Sequence, residues 1–393
     1  PGGLMIVPKD LDVHDFTPVQ HPANDTKSST LTTHFAYEVI HDDLVKIDAL
    51  GHDDPTFIKM LKDITGIDPE DIPMDDRDTL SIFSSVKALG IRSQELGTDM
   101  GTLGIPEFGT GFVRGMLTDT RPATFGELVR ISGLSHGTDV WLNNAKDIIT
   151  SGQATLSKVI ACRDDIMNYL ISRGMEPAQA FKIMEKVRKG KGLKEEDEKA
   201  MRALKVPEWF LNSCKKIKYL FPKAHAAAYV SMGYRVAYFK VHHPLAFYST
   251  YFSIKGDEFD IDLCTSDLNS IKKEILRLRA EQDRNVKDRA KETLLEVVME
   301  MLLRGFGFLN VDLMKSHPTR FEIEGKTLRI PFNRLQNMGD KAAMSIDMER
   351  EKRPFSSVED LMRRTSLNKT SIEMLRKYGA LKGLPEKEQI TLF

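Results

Sequence analysis

Hydrophobic and polar positions alternate near the beginning of the chain with the period of two that is typical of β-strands. Residues 4–7 form one short apolar run, and residues 44–50 form an alternating one. The second run places three apolar side chains on one face: Val45, Ile47 and Ala49. Lys46 and Asp48 fall on the opposite face. We therefore expect a small sheet whose apolar face packs on helices and whose charged face looks into a cleft.

From residue 52 onward the apolar spacing changes to that of amphipathic helices. Residues 56–65 are an example, with five apolar positions at helical intervals: Phe57, Ile58, Met60, Leu61 and Ile64. Residues 52–263 are predicted to be mainly helical, with glycine-rich connectors and one basic, flexible loop at residues 189–192. Residues 264–310 predict one or two long charged helices, residues 321–330 a small β-hairpin, and residues 331–384 short helices. The expected fold class is α+β, mostly α-helical.

Composition narrows the possible classes of protein. The 393 residues are enough for two or three domains, and the net charge of −1 leaves room only for local basic surfaces. Three widely spaced cysteines form no zinc or disulfide pattern, and no apolar run is long enough to cross a membrane. We expect a cytoplasmic protein. Because the chain begins at Pro1 in a turn, we also expect it to be part of a longer protein.

The most informative stretch runs from Trp209 to Gly256, where 48 residues contain neither Asp nor Glu. The same stretch contains twelve aromatic residues and seven cationic ones: Lys215, Lys216, Lys218, Lys223, Arg235, Lys240 and Lys255. Cations bind phosphates and aromatic faces stack on bases, so this acid-free segment favours a nucleotide or nucleic-acid site. The alternative is a buried helical core with a solvated basic face.

Within the acid-free segment, residues 221–229 predict the start of a helix at Pro222. Lys223 and His225 then lie at a helix N-terminus, which carries partial positive charge and free N–H groups. This arrangement favours a polyphosphate ligand, although an ordinary capped helix has the same pattern.

Two further patterns are typical of metal and DNA sites. Asp48 on its strand is a possible Mg²⁺ ligand, although most lone strand carboxylates are surface residues. Residues 334–343 are similar to the second half of a helix-hairpin-helix, in which turn amides hold a DNA phosphate. Asn337 stands where the first glycine belongs, and Gly339 and Lys341 follow it; a plain helical hairpin is the alternative.

Other acidic patterns and the terminal sequence are weaker indications of function. Asp260 and Asp262 have the spacing of a polymerase metal pair, but they follow a loop-like stretch and are not expected to bind metal. The His-Asp-Asp triplets at residues 41–43 and 52–54 are better explained by helix capping. The terminal sequence Gln389-Ile390-Thr391-Leu392-Phe393 suggests a partner pocket for Leu392 and Phe393, or a tail packed on its own domain.

Taken together, these motifs resemble the PolC-type replicative DNA polymerases, the DNA polymerase III alpha subunits of Gram-positive bacteria. Residues 44–56 are similar to the palm strand that supplies a catalytic aspartate, which assigns Asp48 as a Mg²⁺ ligand by resemblance. The remaining assignments by resemblance are nucleotide-binding residues in the fingers: Ser132, His136, Arg163, Tyr219, Phe221, Lys223 and His225. Gln389, Leu392 and Phe393 match a tail that docks on the sliding clamp.

The resemblance also implies an architecture. Residues 1–51 correspond to the C-terminal part of a palm, residues 52–263 to fingers, and residues 264–385 to a duplex-binding domain with a helix-hairpin-helix. Residues 386–393 correspond to the clamp-binding tail. Two further palm aspartates of the family lie upstream of this region and are not in the chain.

The function implied is therefore that of part of a DNA-directed DNA polymerase, which uses Mg²⁺ to add dNTPs to a primer 3′-hydroxyl. The implied partners are primer–template DNA, dNTP, the sliding clamp (the β subunit) and other replisome subunits, with no membrane. Because two palm aspartates are absent, this chain alone is not expected to catalyse. The alternative is a non-catalytic module that binds DNA and tethers it to the clamp.

Overall fold

The structure is a computed structural model that describes residues 3–49 and 51–387, without the side chain of Asp48. It divides into two compact units, Pro1–Pro55 and Thr56–Phe393. Helices dominate and the sheets are small, which confirms the expected α+β, mostly helical fold class.

The first unit contains two small antiparallel pairs of strands and one short helix. Its elements are β1 (Gly3–Ile6), β2 (Val19–Gln20), β3 (Thr32–Thr33), α1 (Tyr37–Ile40) and β4 (Val45–Asp48). β1 pairs with β4, and β2 pairs with β3. The register sets Leu4 opposite Ile47 and Ile6 opposite Val45, so these four side chains share one face.

That apolar face does not behave as the alternation predicts. Val45 is 67% exposed and Ile47 51% exposed, and their partners Leu4 and Ile6 are exposed as well. The expectation that the face packs on helices is wrong for the described residues. Alternation fixes which side chains share a face, but it does not supply an element to cover them.

The second unit is built from helices, the first of which begins at Asp54, two residues before the boundary between the units. Up to the acid-free segment these are α2 (Asp54–Thr65), α3 (Arg77–Ser81), α4 (Ser93–Leu96), α5 (Gly111–Thr120), α6 (Phe125–His136), α7 (Lys146–Thr150), α8 (Arg163–Ser172), α9 (Pro177–Arg188), α10 (Glu195–Ala203) and α11 (Glu208–Lys216). The acid-free segment then forms the end of α11, α12 (Lys223–His242) and α13 (Pro244–Lys255). Pro222 and Pro244 mark the starts of the last two, where a missing N–H costs nothing.

The remaining elements follow the predicted order of charged helices, hairpin and short helices. They are α14 (Ile261–Cys264), α15 (Leu268–Ala280), α16 (Val286–Leu303), β5 (Gly307–Leu309), β6 (Glu322–Glu324), β7 (Thr327–Arg329), α17 (Asp340–Lys352), α18 (Val358–Arg364) and α19 (Lys369–Lys377). β6 and β7 form the expected antiparallel hairpin, while β5 adds a parallel strand beside β7.

The helices of the second unit surround one hydrophobic core, in which α12 packs against α6 and α13. Tyr248 and Lys240 are buried at its centre with Glu300 of α16. Of the helices in the two described ranges, none has the length and apolar composition that a membrane span requires.

Candidate functional site

A chain of aromatic rings lies at the N-terminal end of α12 and connects four residues singled out from the sequence. Phe221 contacts Tyr219, His225 and His136, with ring centroids 5.3, 5.1 and 5.3 Å away. His225 also lies 4.5 Å from the ring of Tyr229. Because flat rings spaced in this way offer faces and edges to another flat group, the cluster is suited to hold a base or sugar.

Backbone hydrogen bonds join the start of α8 to this cluster. The Arg163 N–H donates to the Phe221 carbonyl at 3.0 Å, and the Lys223 N–H donates to Asp164 Oδ2 at 2.7 Å. Asp164 therefore caps the first turn of α12, a helix whose N-cap residue, Pro222, has no side-chain acceptor. These two bonds fix the backbones that carry Arg163 and Lys223 next to each other.

The cations of this cluster are available to a ligand. Arg163 is half-buried and Lys223 is exposed, and within the described ranges neither side chain makes a hydrogen bond or ion pair. The Asp164 carboxylate occupies the first N–H of α12, so a phosphate at this helix would meet the next amides and the two side chains. The combination of unpaired cations and aromatic rings is one that binds nucleoside phosphates.

His136, the last residue of α6, is held on both sides of its ring. Nδ1 lies 2.8 Å from the Ser132 carbonyl, and Nε2 lies 3.2 Å from Glu107 Oε2. Since a carbonyl only accepts hydrogen bonds, Nδ1 carries a hydrogen. The Ser132 side chain is buried, so Ser132 contributes to the site through its carbonyl.

Two residues of this site were not singled out from the sequence, Glu107 and Asp164. Glu107 adopts a left-handed φ of 69°, and its largely buried carboxylate lies 3.2 Å from the His136 ring. Both residues lie inside stretches that resemble finger motifs, residues 104–109 and 162–166. That resemblance was the only sequence signal for Glu107 and Asp164, because their partners His136 and Lys223 lie far away in the sequence.

In the other half of the acid-free segment, Lys240 and five aromatic residues are buried and do not form a binding surface. Lys240 is completely buried and donates to Glu300 at 2.8 Å and to the carbonyls of Gly101 and Leu103 at 2.8 and 2.6 Å. Burial lowers the pKa of Lys240 to about 8, against the opposing effect of Glu300. The buried aromatic residues of this half are core: Tyr234, Phe239, Phe247, Tyr248 and Phe252. Counting Lys240 among the ligand-binding cations was therefore wrong.

The turn before α17 has the geometry expected of a helix-hairpin-helix. Asn337 takes a φ of 64°, the left-handed conformation that a glycine usually supplies there, and Met338 is buried beneath the turn. Gly339 is the N-cap of α17 and has no atom within 4 Å of the position of an added Cβ. Lys341 is exposed at the start of the helix and is without an ion pair in the described part of the chain.

The remaining predicted site residues are described only in part. Asp48 ends β4 opposite Gly3, in the first unit rather than the second. Gln389, Leu392 and Phe393 lie outside the described residues. No group of three His, Cys, Asp or Glu residues within the described ranges could hold a metal ion, and Asp48 alone is one carboxylate. Because Mg²⁺ is commonly held by one or two carboxylates together with substrate phosphates, Asp48 alone could supply one ligand to such an ion.

The Asp260–Asp262 pair and the three cysteines, which the sequence did not predict to be functional, stabilise the fold. Asp260 caps α14, and Asp262 pairs with Lys377. The three cysteines are free and buried, and burial raises the pKa of the Cys162 thiol to about 12.

Two protein-family models match parts of this chain. The finger domain of the bacterial DNA polymerase III alpha subunit matches residues 54–206, which include Glu107, His136, Arg163 and Asp164. A helix-hairpin-helix motif matches residues 305–390, which include the Asn337 turn.

Similar curated proteins match the chain from end to end. DNA polymerase III PolC-type of Thermotoga petrophila is 66% identical over all 393 residues, and that of Thermotoga maritima is 65% identical. The protein of the same name from Bacillus subtilis is 52% identical across the whole chain. The chain spans 29% of the length of the two Thermotoga proteins and 27% of the Bacillus subtilis protein. Over its full length the chain is therefore similar to one segment of these PolC-type DNA polymerase III proteins.

Proposed function

We propose that this chain forms the incoming-nucleotide site and part of the DNA-binding surface of a replicative DNA-directed DNA polymerase. In that reaction the primer 3′-hydroxyl oxygen loses its proton to solvent and bonds to the α-phosphorus of a dNTP, and the bond from that phosphorus to the pyrophosphate oxygen breaks. The observation that carries the proposal is the cluster of aromatic rings and unpaired cations at the start of α12, inside a chain related to PolC-type polymerases throughout its length.

Each residue of the site has a proposed role in that reaction. Arg163, Lys223 and His225 bind the triphosphate oxygens, whose negative charge increases on the leaving pyrophosphate. Phe221 packs against the base or sugar, and Tyr219 borders the same nucleotide site with its ring edge to face against Phe221. His136, which is held by Glu107 and the Ser132 carbonyl, supports the ring of Phe221.

The proposed cofactor of the intact polymerase is Mg²⁺, which favours attack by the hydroxyl and departure of the pyrophosphate. Asp48 is the one carboxylate that this chain is proposed to contribute. The other ligands are proposed to come from palm residues outside it.

The second half of the chain is proposed to hold the DNA. Gly339, Asn337 and Lys341 would bind a duplex phosphate without reading its sequence, because backbone amides and a lysine contact phosphates rather than bases. Gln389, Leu392 and Phe393 are proposed to dock on the sliding clamp. The proposed boundaries remain residues 1–51, 52–263, 264–385 and 386–393.

A second candidate is a non-catalytic module that binds DNA and tethers it to the clamp. It is favoured for the chain in isolation because the two further palm aspartates that the resemblance implies are not in its sequence, which spans 29% of the length of the Thermotoga proteins. The two candidates share the DNA-binding residues, so the site at α12 distinguishes them.

Titration of dNTP against the intact polymerase tests the nucleotide site. Arg163→Ala and Lys223→Ala should each weaken dNTP binding about 10- to 100-fold, since each removes a charged contact to phosphate. Lys272→Ala, at an exposed lysine of α15, is the matched control and should bind as the wild type does. Wild-type affinity in both site variants would overturn the assignment.

Primer extension tests the catalytic assignment of Asp48. Asp48→Asn in the intact polymerase should abolish extension and leave duplex binding unchanged, because the amide is a much poorer Mg²⁺ ligand. Extension at the wild-type rate would remove Asp48 from the metal site.

A further inference from the structure

The basic loop between α9 and α10, residues 189–192, is anchored against the strand-like segment that leads into the nucleotide site. Gly190 has a φ of 70°, and a Cβ at this position would lie 2.6 Å from the Lys218 carbonyl oxygen. The Leu220 N–H also donates to the Arg188 carbonyl at 3.4 Å. Only glycine fits such an approach without displacing the neighbouring backbone, so the loop stays next to Lys218 and Tyr219.

The far end of the same loop is fixed by a buried carboxylate. The Asp197 carboxylate accepts hydrogen bonds from Lys186 Nζ at 2.7 and 2.8 Å and from the Lys194 N–H at 3.0 Å. The sequence predicted a flexible loop, but the structure holds it at both ends. Its charges therefore have a defined position beside the aromatic cluster.

The side chains on this surface leave positive charge exposed. Lys191 and Lys218 are exposed and, among the residues described, neither side chain has an ion pair or hydrogen bond. The side chain of Lys189 is 53% exposed, and its Nζ lies 3.4 Å from Glu185 Oε2. Glu185 is already bound by Arg188 at 2.7 and 2.8 Å, and this hydrogen bonding holds the pKa of Glu185 down to about 2.

Tyr219 lies between these lysines and the nucleotide site. It meets the Phe221 ring edge to face, and 41% of the residue remains exposed. Asp139 is an exposed carboxylate nearby, one residue from Thr138, whose backbone pairs with Lys218 and Tyr219. The surface is thus cationic but not uniformly so, and it carries one accessible ring.

We propose that Lys189, Lys191, Lys218 and Tyr219 bind single-stranded DNA next to the incoming-nucleotide site. This inference rests on the proposed polymerase function, in which that strand is the unpaired template ahead of the primer end. The lysines bind successive phosphates, and Tyr219 stacks on the first unpaired base. A single strand fits better than a duplex because a base can stack on a side chain only when it is unpaired.

The test compares primer–templates with one and with ten unpaired template nucleotides, bound to the intact polymerase. The double variant Lys191→Ala/Lys218→Ala should lose most of the gain in affinity that the longer overhang gives. Loss of two phosphate contacts should reduce the slope of log affinity against log salt by about 1.4 on the longer overhang. The control Lys87→Ala/Lys272→Ala removes two exposed lysines on other elements and should leave both measurements unchanged.

Two outcomes would overturn the inference. In the first, the double variant keeps the wild-type overhang preference and salt slope. In the second, affinity falls equally for a blunt duplex, which would assign the loop to duplex DNA instead.

A separate readout keeps this test independent of the proposed function. Incorporation of one dNTP on the one-nucleotide overhang should keep the wild-type KM for dNTP in the double variant. If the nucleotide-site proposal were wrong, a different result would show it: Arg163→Ala would bind dNTP with the wild-type affinity.

Discussion

Both ends of the acid-free segment contain lysine and aromatic residues, but these residues are exposed or partly exposed at one end and buried at the other. At the start of α12, Tyr219, Phe221 and Lys223 lie at the surface or partly exposed, and the side chain of the lysine has no carboxylate partner in the described ranges. Toward the end of α12 and in α13, Lys240 and Tyr248 are completely buried and both contact Glu300. One end can bind a ligand, whereas the other is an internal ion pair.

The difference comes from an element distant in sequence. α16 brings Glu300 to Lys240, because a charge taken out of water must be paired to be tolerated. No described carboxylate reaches the side chain of Lys223, and Asp164 contacts only its backbone N–H. The absence of acidic residues in a segment therefore predicts free cations only where other elements also leave them unpaired.

The largest effect is expected from breaking the buried pair. Lys240→Met should lower the free energy of unfolding by about 3–5 kcal/mol, since it removes the cationic partner of Glu300 in the core and leaves only the hydrogen bond from Tyr248. Denaturant unfolding of the wild type and the variant measures the difference.

The matched change at the other end is Lys223→Met, which should leave the denaturation midpoint at the wild-type value because the side chain is exposed. Equal effects of the two substitutions would contradict the contrast between the two ends. A well-packed double variant, Lys240→Met/Glu300→Leu, should recover part of the lost stability.

An intermediate effect is expected at the aromatic cluster. Phe221→Ala should raise the KM for dNTP about 5- to 100-fold, because the ring is proposed to stack on the nucleotide. Phe221→Tyr keeps the ring and should stay close to the wild-type KM. If both variants behaved alike, stacking by Phe221 would be excluded.

The smallest effect is expected at the carboxylate that caps α12. Asp164→Ala removes the acceptor of the Lys223 N–H and should raise the KM for dNTP about fivefold by loosening the position of Lys223 and Arg163. Asp164→Asn retains an acceptor oxygen and should restore most of the binding. A positioning role predicts that the kcat changes less than the KM, whereas unaltered kinetics in Asp164→Ala would contradict it.

Much of the fold follows from local patterns. The strand pattern at residues 45–48, the helix start at Pro222 and the β6–β7 hairpin were predicted because each depends on neighbouring residues. β5 was missed because it has three residues and its partner, β7, is parallel and lies some twenty residues away. The left-handed turn at Asn337 was anticipated because few other residues tolerate that conformation.

By itself, the sequence determined the helical class, the order of most elements and the similarity to PolC-type polymerases. It also located the Tyr219–Tyr229 region as a candidate site, since residue type and spacing are local properties. Only the tertiary structure decided that Lys240 is buried, that Asp164 and Glu107 reach the site and that the Lys189–Gly192 loop is anchored beside it. Pairing and burial depend on which distant elements meet, and a charge is free to bind a ligand only when none of them supplies its partner.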